Sequence, residues 1–280
     1  MPQSATPPAV PTVLTLSLAL ALAACAKPAP AESPAMAAPP ASAEAAPPAP
    51  PQPPTPAAAA RKVSEHSDLY EFDYAYPAQA AAIPALRQIL DADLDKAKAE
   101  LVKDASDGRK DAKENDFPFH AYSHSTDWQV VTDLPGWLSL STLVGFYTGG
   151  AHPNYVFDAI LWDKAANTRR AALDLFTSKA ALSAAIARPF CAELDRQRTK
   201  KRGGEDLGGS ISEFDKCIDP LAQTVILGSA SRTAFDRIGF LIAPYEAGPY
   251  AEGSYEVTLP VTPAVLAAVK PEYRAAFAAR

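Results

Sequence analysis

The sequence predicts an α+β fold, a mostly antiparallel sheet with long helices packed on one face. Three observations carry this expectation. "LYEFDYAY" (69–76) alternates aromatic and other residues at period two. A long apolar stripe at three- and four-residue steps follows it, and then come three alternating segments joined by short turns. Period two lines one face of a strand, whereas steps of three and four line one stripe of a helix. Helices beside an antiparallel meander form an α+β architecture.

Not all of the 280 residues read as foldable. Residues 1–24 read as a lipoprotein signal peptide. "VLTLSLALALAAC" (13–25) is an unbroken apolar run, shorter than the roughly 20 residues that a membrane-spanning helix needs. It closes on Leu22-Ala23-Ala24-Cys25, which resembles the bacterial lipobox, with small residues before the cleavage point and Cys25 as the lipidation site, the usual place for a palmitate-bearing anchor. The first twelve residues hold no Lys or Arg, so the positive charge of the leader rests on the amino terminus alone. An ordinary cleaved signal is the alternative reading. Ala26 resembles the signal for outer-membrane sorting in a Gram-negative cell, which implies an exported lipoprotein facing the periplasm. Residues 25–62 form a Pro/Ala-rich tether, as in "PAPPQPPTPAAAA", with too little to bury for a core of its own. At about 3.1 Å per residue in polyproline II, such a spacer reaches on the order of 100 Å.

The domain spans 63–280, with a first half to about 150 and a second from 151 to about 270. In its first strand Tyr70, Phe72, Tyr74 and Tyr76 share a face, and Pro77 ends it. Ile83, Leu86, Leu90, Leu94, Ala97 and Leu101 then form one helical stripe, and Asp107-Gly108 reads as its stop. Val130, Thr132 and Leu134 alternate up to Pro135-Gly136, a turn dipeptide. Leu138 to Phe146 alternate up to Gly149-Gly150, and Tyr155 to Leu161 up to a polar turn at 163–167, completing a meander. After "LDLFTS" a helix is expected, capped by Thr177 or Ser178 and apolar at Leu182, Ile186 and Leu194, with a kink or break at Pro189. The basic run "RQRTKKRGG" (196–204) suits a helix C-terminus, where cations complement the macrodipole. "TAFDRIGFLIAPY" and "GSYEVTLP" add strands, and "TPAVLAAV" a last helix.

Three cysteines are an odd count for an exported chain. With Cys25 lipidated, Cys191 and Cys217 remain as a pair for an oxidising compartment. Their disulfide would close a loop of about 25 residues, with on the order of 3 kcal/mol of stabilisation; two buried free thiols are the alternative. A net charge of −6 argues against nucleic acid as a partner. There is no GxSxG, P-loop or GxGxxG motif, so no cofactor is implied. His120 and His124 stand four apart in "FPFHAYSHS", but the segment reads as extended, which would separate them by about 13 Å, too far to share a zinc ion.

Two motifs carry the candidate binding residues. "YTGGAHPN" supplies Tyr147, Gly149, Gly150, His152 and Asn154: the glycines permit a tight left-handed connection, and the imidazole is placed to cap neighbouring backbone groups. "APYEAGPYAEGSYEVTLP" supplies Tyr245, Glu246 and Tyr250, alongside Tyr255 and Glu252. Tyrosines give contact area at low entropic cost; a loop packed by its own side chains is the other reading.

In the order "YTGGAHPN", "LDLF", "PYEAGPYAEGSYEVTLP", these segments resemble the RsiV/PdaC-like extracytoplasmic domain, shared by the anti-sigma-V factor of Gram-positive bacteria and the non-catalytic part of the peptidoglycan deacetylase PdaC. The resemblance covers about 65–270 and includes Tyr76-Pro77 and the helix after it. It implies an outward-facing α+β domain and, from the anti-sigma factor, lysozyme as a ligand. It assigns no catalytic residue here. The expected function is therefore a lipid-anchored, non-catalytic envelope protein that recognises a lysozyme-type muramidase or peptidoglycan. A cell-wall hydrolase or deacetylase-like enzyme using His152 is the first alternative, and a passive architectural lipoprotein the second.

Overall fold

The computed structural model describes residues 58–204 and 212–280. The expected signal peptide, Cys25 and residues 25–57 of the tether lie outside the described residues. Strand β1 (Arg61–His66) pairs antiparallel with β2 (Tyr70–Tyr76), so ordered pairing begins two residues before Val63. In β2 Phe72, Tyr74 and Tyr76 are buried and the residues between them are not, as the alternation requires. Helices α1 (Ala78–Ala81) and α2 (Pro84–Glu114) then cross over to β3 (Tyr122–Asp127), which lies parallel to β2.

Strands β4 (Gln129–Asp133), β5 (Trp137–Tyr147) and β6 (Asn154–Asp163) form the expected antiparallel meander. A short β7 (Thr168–Arg170) pairs with β6. The first sheet runs β1-β2-β3-β5-β6-β7, with β4 also paired to β5. Strands β6 and β7 complete this sheet.

Leu86, Leu90, Leu94 and Leu101 of α2 are buried with Phe72, Tyr74, Tyr76, Leu138 and Trp162 in one core. Burying each such leucine contributes about 1.5–3 kcal/mol. The helix does not stop at Asp107-Gly108 but continues to Glu114. Gly108 serves close approach instead: a Cβ there would sit 2.3 Å from the Tyr122 hydroxyl oxygen. A mid-helix glycine costs about 1 kcal/mol relative to alanine, and the seat it leaves for Tyr122 explains its place.

Helix α3 (Lys179–Lys201) begins where expected, with Ser178 Oγ accepting from the Ala181 amide at 3.0 Å. It passes through Pro189 without a break. Proline removes a single backbone donor there, and Leu182, Ile186, Phe190 and Leu194 hold both halves of the helix in one core. That core is shared with a second sheet, β8 (Thr224–Gly228), β9 (Arg237–Ile242) and β10 (Tyr255–Pro260), in the order β10-β9-β8. Helix α4 (Pro263–Ala268), capped by Thr262, packs beside α3 and adds Val265 and Ala268 to the same core. The class is α+β and mostly antiparallel, and each long helix covers its own sheet. Cys191 of α3 and Cys217 form a disulfide, with Cα atoms 5.4 Å apart and a sequence separation of 26.

Candidate functional site

Two loops meet at one end of the molecule. The first is the tip of the β5–β6 hairpin, whose last paired residues are Phe146 and Asn154. Gly149 turns it with φ +84°, and a Cβ at that position would come within 3.3 Å of the Tyr122 ring. The second is the connection from β9 to β10, residues 243–254. Tyr245 takes φ +71° there, a conformation that costs a non-glycine residue about 1–3 kcal/mol and persists only where its surroundings dictate it.

The imidazole of His152 joins the loops. Its Nδ1 lies 2.8 Å from the carbonyl oxygen of Pro153. A carbonyl only accepts, so Nδ1 carries the proton, and in the neutral ring Nε2 accepts from the hydroxyl of Tyr245 at 3.2 Å. The ring also stacks on Tyr250, whose hydroxyl donates to the same Pro153 carbonyl at 2.6 Å. Tyr245 and Tyr250 are 5.6 Å apart between centroids. Three rings thus form a ladder at the surface, with Tyr245 49% exposed.

The other candidate residues take separate places. Asn154 Oδ1 accepts from the Tyr155 amide at 2.9 Å, and the Tyr155 hydroxyl accepts from the Ser254 amide at 3.0 Å, a further stitch between the loops. Tyr147, where the tip loop begins, pairs with Ser123 of β3, and Gly150 is exposed at the tip. Glu246 is exposed, and its carboxylate makes no hydrogen bond to the described residues. His124 is not brought to this site. It stacks on Phe72 under α2, and burial pushes its pKa below the ordinary value against the opposing pull of Glu100. Among the described residues no group of three or more His, Cys, Asp or Glu is placed to hold a metal ion.

What fixes the tyrosine loop is the end of α3. Arg198 is 3% exposed and donates to the carbonyls of Ala247 (3.0 Å) and Lys216 (3.1 Å) and to Asp195 (3.0 Å). One turn on, Arg202 pairs with Glu252 at 2.8 Å and with Asp215 at 2.8 Å. Lys201 donates to the carbonyls of Glu252 and Ser254 and lies over the Tyr255 ring. Burial pushes the Glu252 carboxyl up, but hydrogen bonds from Arg202 and Tyr255 together outweigh it and hold the group below its ordinary value. Burial in turn lowers Lys201 and raises the Tyr255 hydroxyl. Gly248 leaves room for this carboxylate, since a Cβ there would crowd Glu252 Oε2 and displace it from Arg202. The basic run at 196–204 therefore does more than complement the macrodipole. The spacing of residues 198, 201 and 202 on one helical face was its visible signal.

Residues 63–155 match the model of the family described as Deacetylase PdaC. That match takes in β1 through β5 and the hairpin tip with His152 and Asn154, and the resemblance drawn from the sequence holds over those residues. Among solved structures, the chain is similar to a DUF3298 family member from Bacteroides fragilis NCTC 9343. The two are 16% identical, the alignment covers 72% of this chain and 89% of that one, and the TM-score is 0.48. A DUF3298 family protein from Pseudomonas aeruginosa PAO1 is 17% identical over 79% of this chain and 97% of that one, with a TM-score of 0.47. No curated protein matches the chain.

Proposed function

We propose that this is a lipid-anchored cell-envelope protein whose domain holds a macromolecular partner, a lysozyme-type muramidase or peptidoglycan, without breaking bonds in it. One observation carries the reading. Both ring nitrogens of His152 are engaged, by a backbone carbonyl and a phenol, and its face is covered by Tyr250. An imidazole locked in this way is a part of a surface. The one hydroxyl that Nε2 reaches is the Tyr245 phenol, and among the described residues no Ser, Thr or Cys side chain hydrogen-bonds to the ring as a triad nucleophile would.

The exposed Tyr245 ring, the ladder beneath it and a backbone braced by buried arginine match what binding surfaces use: rigid aromatic area with little freedom left to lose. The Cys191–Cys217 disulfide supports an exported location, because such bonds persist in oxidising compartments. Anchoring through Cys25 and an outer-membrane placement belong to the same proposal. The matched family's description names a deacetylase, and a hydrolase or deacetylase reading through His152 would require Nε2 to give up the Tyr245 hydroxyl, while the Nδ1 contact to the Pro153 carbonyl would stay as an orienting bond.

The test is retention. Immobilised full-length protein is expected to retain c-type lysozyme or soluble muropeptides from solution. Retention of neither would remove the ligand, and loss of a measured turnover in His152→Ala with the fold intact would restore the enzyme reading.

A further inference from the structure

The first sheet has α2 on one face, where Phe72 and Tyr74 point. Its other face, where Asp73 and Ala75 must point, opens into a cleft of about 640 Å³ bounded on the far side by Leu241 and Glu256 of the second sheet. We propose that this cleft is a second binding site, for an uncharged or amine-bearing oligosaccharide, and that it is separate from the His152 ladder.

The strand register builds the cleft. Asp73 stands beside Ser125, and Ser125 beside Gly145, where the missing side chain leaves the floor low. A Cβ at Gly145 would fall 2.6 Å from Ser125 Oγ. In the next row Ala75 stands beside Asp127, and Leu143 pairs with Phe157. One part of the lining is therefore apolar, formed by Leu143, Phe157 and Leu241, and Leu143 is left 42% exposed.

Tyr74, Thr126 and Thr142 of the lining are hydrogen-bonded within the protein, but other polar groups are not. The side chains of Ser125, Asp127, Gln129, Ser141 and Glu256 make no hydrogen bond or ion pair with another described residue, and Asp73 has only His66 at 3.9 Å. Three carboxylates elsewhere on the first sheet and its helix are paired. Asp91 pairs with Arg61, Asp133 with Lys164, and Asp158 with Arg169. Donors and acceptors left without protein partners around one cavity are available to a ligand that can replace their water.

A pyranose ring presents a flat C–H face and a rim of hydroxyls that both donate and accept, which answers an apolar wall flanked by carboxylates, hydroxyls and an amide. The volume lies within the roughly 300–1,000 Å³ of small-ligand sites. Charge narrows the choice. Asp73, Asp127 and Glu256 outweigh Lys62 in the lining, so anionic sugars are repelled and neutral or amine-bearing ones are not.

The test uses the full-length protein with four probes: chitotetraose, its fully deacetylated tetramer, a galacturonic acid trimer and tetralysine. Calorimetry is expected to show saturable binding of at least one of the first two and none of the acidic trimer, with amide NMR shifts at Ser125, Asp127 and Leu143. Asp127→Ala is expected to weaken that binding about tenfold, as loss of a hydrogen bond to a charged group would, and Ser141→Trp to block it by filling the cleft. Both variants are checked for an unchanged unfolding midpoint. Lys103→Ala, on the exposed side of α2 away from both sites, is expected to leave saccharide binding unchanged, and lysozyme retention reads the ladder separately from the cleft. No shift with either neutral or amine-bearing tetramer, equal binding of the acidic trimer, or occupation of the cleft by tetralysine alone would each overturn the proposal.

Discussion

The imidazole of His152 lies against the phenol ring of Tyr250, with centroids 3.9 Å apart and an interplanar angle of 24°. The two residues come from loops nearly a hundred positions apart, and their contact clasps the hairpin tip to the tyrosine loop. An aromatic pair of this kind contributes about 0.5–1.5 kcal/mol beyond its buried area. Tyr250→Ala is therefore expected to lower unfolding stability in urea by about that amount, with an unchanged m-value. A loss several times larger would place Tyr250 in the core and remove it from the surface ladder.

Arg198 makes a stronger demand. Removing its buried guanidinium leaves the carbonyls of Ala247 and Lys216 without a donor, at a cost of about 1–3 kcal/mol for each buried group that water does not reach. Arg198→Met is expected to destabilise the domain by a few kcal/mol and to speed amide hydrogen exchange in 245–254 more than in β4–β6. Arg198→Lys is expected to rescue little, because an ammonium cannot span three acceptors with a rigid fork. Uniform loss of protection across both sheets would contradict the bracing role.

The disulfide acts mainly on the unfolded chain. The Cys191–Cys217 loop, with a separation of 26 residues, is expected to contribute about 3 kcal/mol. The double variant Cys191→Ala/Cys217→Ala is expected to unfold at lower denaturant by that measure, and reductant is expected to bring the wild type to the same midpoint. An unchanged midpoint under reductant would show that the bond constrains nothing.

Glu252 gives a pH dependence of known sign. Its carboxyl is held below the ordinary value of 4.5 in the folded protein, so the stability it contributes is fully present above the unfolded value and is lost as pH falls through the folded one. The melting temperature is expected to drop on acidification below about pH 4.5, and Glu252→Gln is expected to be less stable at neutral pH and to approach the wild type in acid. Parallel curves for the two proteins would contradict the assignment.

Local periodicity made part of this fold legible. The alternation of Phe72, Tyr74 and Tyr76, the leucine stripe of α2 and the turn at Pro135-Gly136 need only neighbouring residues to specify them, and each stands where the pattern puts it. Strand β8 did not announce itself, because a short apolar run such as "VILG" reads equally as helix or strand. The end of α2 was misread for a tertiary reason: Asp107-Gly108 is locally a stop, yet Gly108 is there to admit Tyr122. The break allowed for at Pro189 does not occur, since the core contacts of Ile186 and Phe190 hold the helix on either side of it. The two candidate loops were visible as motifs. That they touch, and that Arg198 and Arg202 brace one of them, depends on contacts across some fifty to a hundred residues that no local pattern encodes.

The most direct measurement is calorimetric titration of the full-length protein and of Tyr250→Ala with c-type lysozyme and with muropeptides. A saturable heat with at least one of them, weakened tenfold or more in the variant as expected for about 1.4 kcal/mol or more at an anchoring residue, is the predicted result. Binding of equal strength in both proteins, or no heat with either ligand, would contradict the account.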